Sequence, residues 1–314
     1  MYRVKEGVIG SAIGDAISTS TKGLKREYLL MHPVTKMLPY IKKGIPKGAW
    51  SDSTSLLIAT MSAISKKDID YEYIAENCVS WFTGNKYCSC SESFGIGDTT
   101  LKALIKYTKR ENKAYECGLE SENCNGNSAL KMMLPLAFYF QAKKVSKEEM
   151  FEIIKKVSSI THRHDISICA CYIYVNYVLL ILNGNNKFAA LKQIKSLDYS
   201  MFTNNILNNF NRLLIGNIDE LEIDEIKSTS YVVDTLESVL WCFIKSDNYK
   251  NCILATTNIG DDTSSIGALC GAIAGIYYGT NKIPNVWLDD LRKKELLINI
   301  SENYETFLRN LIYK

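Results

Sequence analysis

Apolar residues recur at helical spacing along most of this chain, and alternating apolar/polar stretches of strand type are nearly absent. The pattern predicts helices over the first apolar stretch through Ile17 and over residues 55–65, 71–82, 99–108, 129–142, 147–158, 164–183, 231–246, 248–257 and 264–278. The fold class that follows is all-α. Three of the five prolines, Pro33, Pro39 and Pro46, fall in one early segment that reads as a loop of about 25 residues, a length more often functional than idle. No fixed-period repeat and no Pro/Ser-rich linker divides the chain, so one domain over residues 1–314 is expected, with residues 184–226 its least informative part.

Composition narrows the function classes. With 314 residues, 46% of them hydrophobic, the chain can bury a large core. The formal net charge is only +3, with Lys and Arg scattered among Asp and Glu, which speaks against a nucleic-acid footprint. Ten irregularly spaced cysteines, several inside apolar runs, and no recognisable secretory leader fit reduced thiols and a cytoplasmic protein. Cys88 and Cys90 have no CxxC pair or spaced His to complete a zinc site. No apolar run reaches the roughly 20 residues of a membrane span, so no membrane partner is expected.

Four clusters remain, each in or just before a predicted helix. In "GSAIGDAIS", Gly10, Gly14 and Asp15 punctuate an apolar helix, as close helix packing would require. In "GAWSDSTSLL", Ser51 to Thr54 precede an apolar run, which suits an N-cap or a metal site. In "NGNSALKMMLP", Gly126, Asn127 and Ser128 open either a phosphate-binding helix start or a plain turn. In "NIGDDTSSIGALCGAIAGIYYG", Gly260 to Ser265 open a glycine-punctuated helix.

Taken in order, these clusters resemble the ADP-ribosylglycohydrolases. "HPVTKMLPY", "GIGDTTLKAL", "SSITHRHDISICACYIYV", "SYVVDTLESVLWCF" and "IPNVWLDDL" fall where that family carries its connecting loop, central motif, Thr-His helix, Gly-Tyr-Val helix and closing segment. The resemblance covers most of the chain. It implies a compact orthogonal multi-helix bundle that cleaves ADP-ribose from acceptors with two magnesium ions. Carried over residue by residue, it implies metal ligands at Ser51, Asp52, Asp262 and Ser265, catalytic roles for Asp52 and Asp262, phosphate contacts at Gly126, Asn127 and Ser128, and Tyr231 near a ring.

The departures from the family pattern are concentrated at the metals. Its first motif, Trp-(Thr/Ser)-Asp-Asp-Thr, reads Trp50-Ser51-Asp52-Ser53-Thr54 here; its second, Gly-Gly-Asp-x-Asp-(Thr/Ser), reads Gly260-Asp261-Asp262-Thr263-Ser264-Ser265. Ser53 and Ser264 each remove a carboxylate from a site that must hold two divalent charges. Lys22 aligns with a third acidic position, although a register shift would bring Glu27 there. Met132 replaces a usual Arg, and Gly95 a common Asp. Zero or one magnesium is expected rather than two. Three readings stay open: a pseudoenzyme-like cleft that binds ADP-ribose or an ADP-ribosylated protein or small molecule; a hydrolase working with one residual magnesium; and a structural role with an idle cleft. Lys22 is expected to reach into the vacated metal position and pair with Asp52, Asp262 or both.

Overall fold

The computed structural model describes residues 2–311. Its helices are α1 (Val4–Ser18), α2 (Arg26–Met31), α3 (Asp52–Lys67), α4 (Tyr71–Gly84), α5 (Asp98–Thr108), α6 (Leu134–Ala142), α7 (Lys147–Ser158) and α8 (Asp165–Leu182). They continue with α9 (Lys187–Ile194), α10 (Asn204–Leu207), α11 (Asn211–Leu214), α12 (Val232–Lys245), α13 (Tyr249–Asn258), α14 (Thr263–Tyr278), α15 (Asn285–Asp290) and α16 (Lys294–Leu311). Among the described residues there is no strand, only isolated bridges such as Gly126 with Tyr231. The all-α expectation holds.

The centre of the molecule is the antiparallel pair α1 and α14, and glycine makes it possible. A Cβ at Gly14 would stand 2.0 Å from the Gly267 carbonyl oxygen, and one at Gly10 would stand 2.3 Å from that of Gly271. The reciprocal contacts at Gly267, Gly271 and Gly275 are equally tight, so the two backbones touch. The packing reading of these glycines is therefore the right one. It also has a consequence for the site. Because the pair is antiparallel, the C-terminus of α1 and the N-terminus of α14 lie together: Thr263 Oγ1 donates to the Ser18 carbonyl at 2.9 Å.

α8 is apolar over its whole length, with a mean hydropathy of 1.8, because it runs through the interior; 72% of it is buried inside the protein. Differences from the sequence expectation are local. Residues 129–142 do not form one helix: a 3₁₀ segment, Asn127–Met132, ends before α6, and Pro135 sits in the first turn of α6, where a missing N–H costs nothing. The periodicity reading also omitted α2, α9, α10, α11, α15 and α16. Of these α16 is the longest, and it buries Leu297, Ile300, Tyr304 and Leu308 at intervals of three and four. The early proline-marked segment is a loop with one 3₁₀ turn, Ile41–Lys43, closed by a bridge between Tyr40 and Ile45.

Candidate functional site

Three helix ends meet where α1 finishes. Asp15, one turn before the end of α1, is wholly buried and organises the start of α3. Its Oδ2 accepts from the backbone N–H groups of Ser51 (2.9 Å) and Thr54 (3.1 Å) and from Thr54 Oγ1 (2.8 Å), while Oδ1 accepts from Ser51 Oγ (2.8 Å). A side chain from another helix thus satisfies donors that an α3 standing alone would leave orphaned, and the Ser51 side chain accepts from the Ser53 N–H at 3.3 Å. Burial pushes the Asp15 carboxyl up to about 6 despite the hydrogen bonds from Ser51 and Thr54, and the neighbouring Asp52 charge adds to the rise.

Lys22 follows directly. A 3₁₀ turn, Thr19–Thr21, carries the chain from α1 toward the start of α14, held by Thr21 Oγ1 donating to the Thr257 carbonyl (2.8 Å). The Lys22 ammonium then stands 3.0 Å from Asp262 Oδ1. Glu27, the other candidate for this position, is exposed on α2. Burial alone would lower the Lys22 pKa, but Asp262, Asp52 and Asp15 overcome it and hold it up at about 12. Burial would likewise raise Asp262; Lys22, Lys131 and a 2.7 Å hydrogen bond from Asn127 Nδ2 hold it down at about 2. Asp261 points elsewhere. It stands at the second glycine of the family pattern, keeps a left-handed backbone (φ 54°) and makes an exposed ion pair with Lys25 at 3.0 Å.

Asp52 departs from expectation. Rather than facing the cleft it lies under a cover, 1% exposed, and lines neither of the two cavities described below. The loop before α5 crosses it: the Asp52 N–H donates to the Phe94 carbonyl at 3.1 Å, and a Cβ at Gly95 would come within 2.5 Å of Asp52 Oδ1. Glycine is needed there both for that approach and for its φ of 91°, so the aspartate common at this position in the family has no room. From the other side comes Lys131, which sequence reasoning passed over. Its Nζ donates to Asp52 Oδ2 at 2.6 Å, with both side chains almost wholly buried. The signal was a lysine inside an otherwise apolar run, "ALKMMLP".

The remaining expected residues divide. Gly126, Asn127, Ser128 and Tyr231 line a cavity of about 780 Å³, together with Asp262, Lys22, Lys131 and His162. Asn127 is already engaged, since its Nδ2 donates to both Asp262 and Thr235 Oγ1. Ser51 and Ser264 line a second cavity of about 890 Å³, which shares Lys22, Gly95 and Ile96 with the first. Ser53 is buried and borders only a small void beside Lys131, and Ser265 is buried on α14 and lines neither cavity. Met132 is a core residue. His162 is a second residue that sequence reasoning did not single out. Burial lowers its pKa to about 3, the Lys131 charge adding to the effect, so it faces the cavity as a neutral imidazole.

The sequence pattern of the ADP-ribosylglycohydrolase family matches residues 1–311. The chain belongs to that family. An ADP-ribosylarginine hydrolase of Serratia proteamaculans is 30% identical, over 96% of this chain and 78% of its own length. The ADP-ribosyl-[dinitrogen reductase] glycohydrolase of Rhodospirillum rubrum is 26% identical, over 91% and 87%. A solved structure titled ADP-ribosylglycohydrolase-related protein complex superposes with a TM-score of 0.78 at 21% identity, covering 98% of each chain, and shares the fold.

Two magnesium ions do not fit the residues that this ADP-ribosylglycohydrolase chain presents. Hard divalent ions need several anionic oxygens, and here the motif carboxylates are Asp52 and Asp262, each already facing an ammonium group. Among the described residues no group of three His, Cys, Asp or Glu side chains could hold a metal ion.

Proposed function

We propose that this chain is an ADP-ribose-binding member of the ADP-ribosylglycohydrolase family in which fixed lysine charges replace the metal centre and hydrolysis is lost. The observation that carries the reading is the pair of ion pairs: Lys22 on Asp262 and Lys131 on Asp52. Each puts one positive charge where a carboxylate would otherwise face a divalent ion. An ammonium group balances charge but activates no water as a metal does, so the arrangement favours binding over turnover.

The first cavity suits such a ligand. Its volume of about 780 Å³ lies in the range of small-molecule sites, and it is open rather than filled by side chains, which weakens the reading of an idle structural cleft. Gly126 to Ser128 offer phosphate contacts, and Tyr231 presents a half-exposed ring beside them, the two segments tied by the Gly126–Tyr231 bridge and by the Val232 N–H donating to the Asn125 carbonyl at 2.9 Å. The ligand is ADP-ribose or an ADP-ribosylated protein or small molecule.

Calorimetry with ADP-ribose in EDTA and in millimolar magnesium tests this. Equal affinity in both conditions and no released ribose product are expected. Binding that appears only with magnesium would favour the alternative of one retained ion beside Asp52, whose Oδ1 is buried without a hydrogen-bond partner. No binding in either condition removes the proposal.

A further inference from the structure

The second cavity bears on what is attached to the ADP-ribose. It begins where the first ends, at Lys22 and Gly95, and its far wall is the proline-marked loop at Tyr40 to Pro46. With the phosphates at Gly126 to Ser128, as in the binding reading above, and the distal ribose set at Asp262 beside Lys22, the substituent on that ribose enters the second cavity. The charges there have one dominant sign. Lys22, Lys43 and Arg292 line it against the single carboxylate of Glu92. Lys22 is committed to Asp262, but Lys43 and Arg292 have no ion-pair partner among the described residues; Arg292 Nε donates to the Ser89 carbonyl at 3.3 Å. The cavity also holds a polar group with nothing to bind: Ser264 Oγ is fully buried, lines the cavity and has no hydrogen-bond partner.

A guanidinium substituent would enter this space against the two unpaired like charges of Lys43 and Arg292 and find one exposed carboxylate, Glu92. A phosphate would find a lysine, an arginine fork suited to bidentate contact and an unpaired hydroxyl. We infer that the second cavity takes a phosphate group carried on the distal ribose, so that this chain recognises ADP-ribose bearing a phosphate monoester rather than ADP-ribosylated arginine. The inference rests on the binding reading above and adds the class of substituent.

The test compares ADP-ribose, ADP-ribose 1″-phosphate and N-linked ADP-ribosylarginine by calorimetry, with inorganic pyrophosphate as a fourth probe. The wild-type protein should bind the 1″-phosphate at least about tenfold more tightly than ADP-ribose, the gain of a charge-assisted contact. The variant carrying Lys43→Ala and Arg292→Ala should bind both nucleotides alike while keeping its affinity for ADP-ribose. Equal wild-type affinities, a preference that survives in the double variant, or tighter binding of the arginine conjugate overturns the inference. If neither nucleotide binds, the underlying reading fails on its own. Pyrophosphate then decides the cavity: binding that is lost with Lys43 and Arg292 supports an anion site, and no binding removes it.

Discussion

Lys131 Nζ lies 2.6 Å from Asp52 Oδ2, and the two side chains are 3% and 1% exposed. An ion pair this deep is costly to assemble and more costly to break, because removing one member strands the other charge away from water. The relationship ties the 3₁₀ segment Asn127–Met132 to the first turn of α3.

Lys131→Met should therefore destabilise the fold by about 3–5 kcal/mol, whereas Lys131→Met combined with Asp52→Asn should recover most of that loss. Urea denaturation of the two variants and the wild type measures it. A single-variant cost below about 1 kcal/mol, the scale of an exposed pair, would mean that water reaches Asp52.

The α1–α14 seam gives a sharper contrast. Gly14→Ala would put a methyl group 2.0 Å from the Gly267 carbonyl oxygen, a contact that only movement of one helix can relieve. Gly84→Ala, at the end of α4 with nothing within 4 Å, meets no such obstacle. The first should lower stability by several kcal/mol or prevent folding, as overpacking of backbone does; the second should be neutral or stabilise by up to about 1 kcal/mol through helix propensity. Thermal melts showing equal effects for both would deny that the seam is in backbone contact.

That seam was legible in the sequence, and so was most of the helical body. Small residues at Gly10, Gly14, Gly267, Gly271 and Gly275 have a local spacing that states their purpose. α16 carries the same kind of signal, with Leu297, Ile300, Tyr304 and Leu308 in register on its buried face. The meeting of Lys22 with Asp262 followed from the order of motifs, since both flank the same pair of helices. The cover over Asp52 did not. It depends on Phe94 and Gly95 in an irregular loop, and on Lys131 reaching from a segment whose apolar surroundings suggested only core. No sequence period encodes a contact across 79 positions between a loop-borne 3₁₀ turn and a helix start.

Asp15 gives the fold a pH signature. Burial raises its carboxyl from 3.8 to about 6, so between those values the folded chain holds a proton that the unfolded chain has released. The unfolded state binds fewer protons there, and this group's contribution to stability falls as pH rises through that window, by on the order of 3 kcal/mol in total. Asp15→Asn resembles the protonated form at every pH. Going from pH 7 to pH 4.5, the wild type should gain stability relative to Asp15→Asn in chemical denaturation. A difference between the two proteins that does not change with pH would place the Asp15 carboxyl at its ordinary value.

Restoring the lost carboxylates tests the whole account of the metal centre. Lys22→Glu, Ser53→Asp and Ser264→Asp together return the acidic positions of the family pattern, and by charge alone this triple variant should attract divalent ions. The structure predicts that it will not suffice. Lys131 still stands on Asp52, and an ammonium at 2.6 Å competes directly for the oxygen that an ion would need. The new carboxylate at position 53 would also enter the small void that Lys131 borders, and would be drawn to the same ammonium. The triple variant should bind magnesium weakly or not at all by calorimetry, and adding Lys131→Met should bring binding into the micromolar to millimolar range, with stability that rises on adding the ion. Tight magnesium binding by the triple variant alone would show that Lys131 moves aside readily, and that its contact with Asp52 is an accommodation of the folded chain rather than a replacement for the ion.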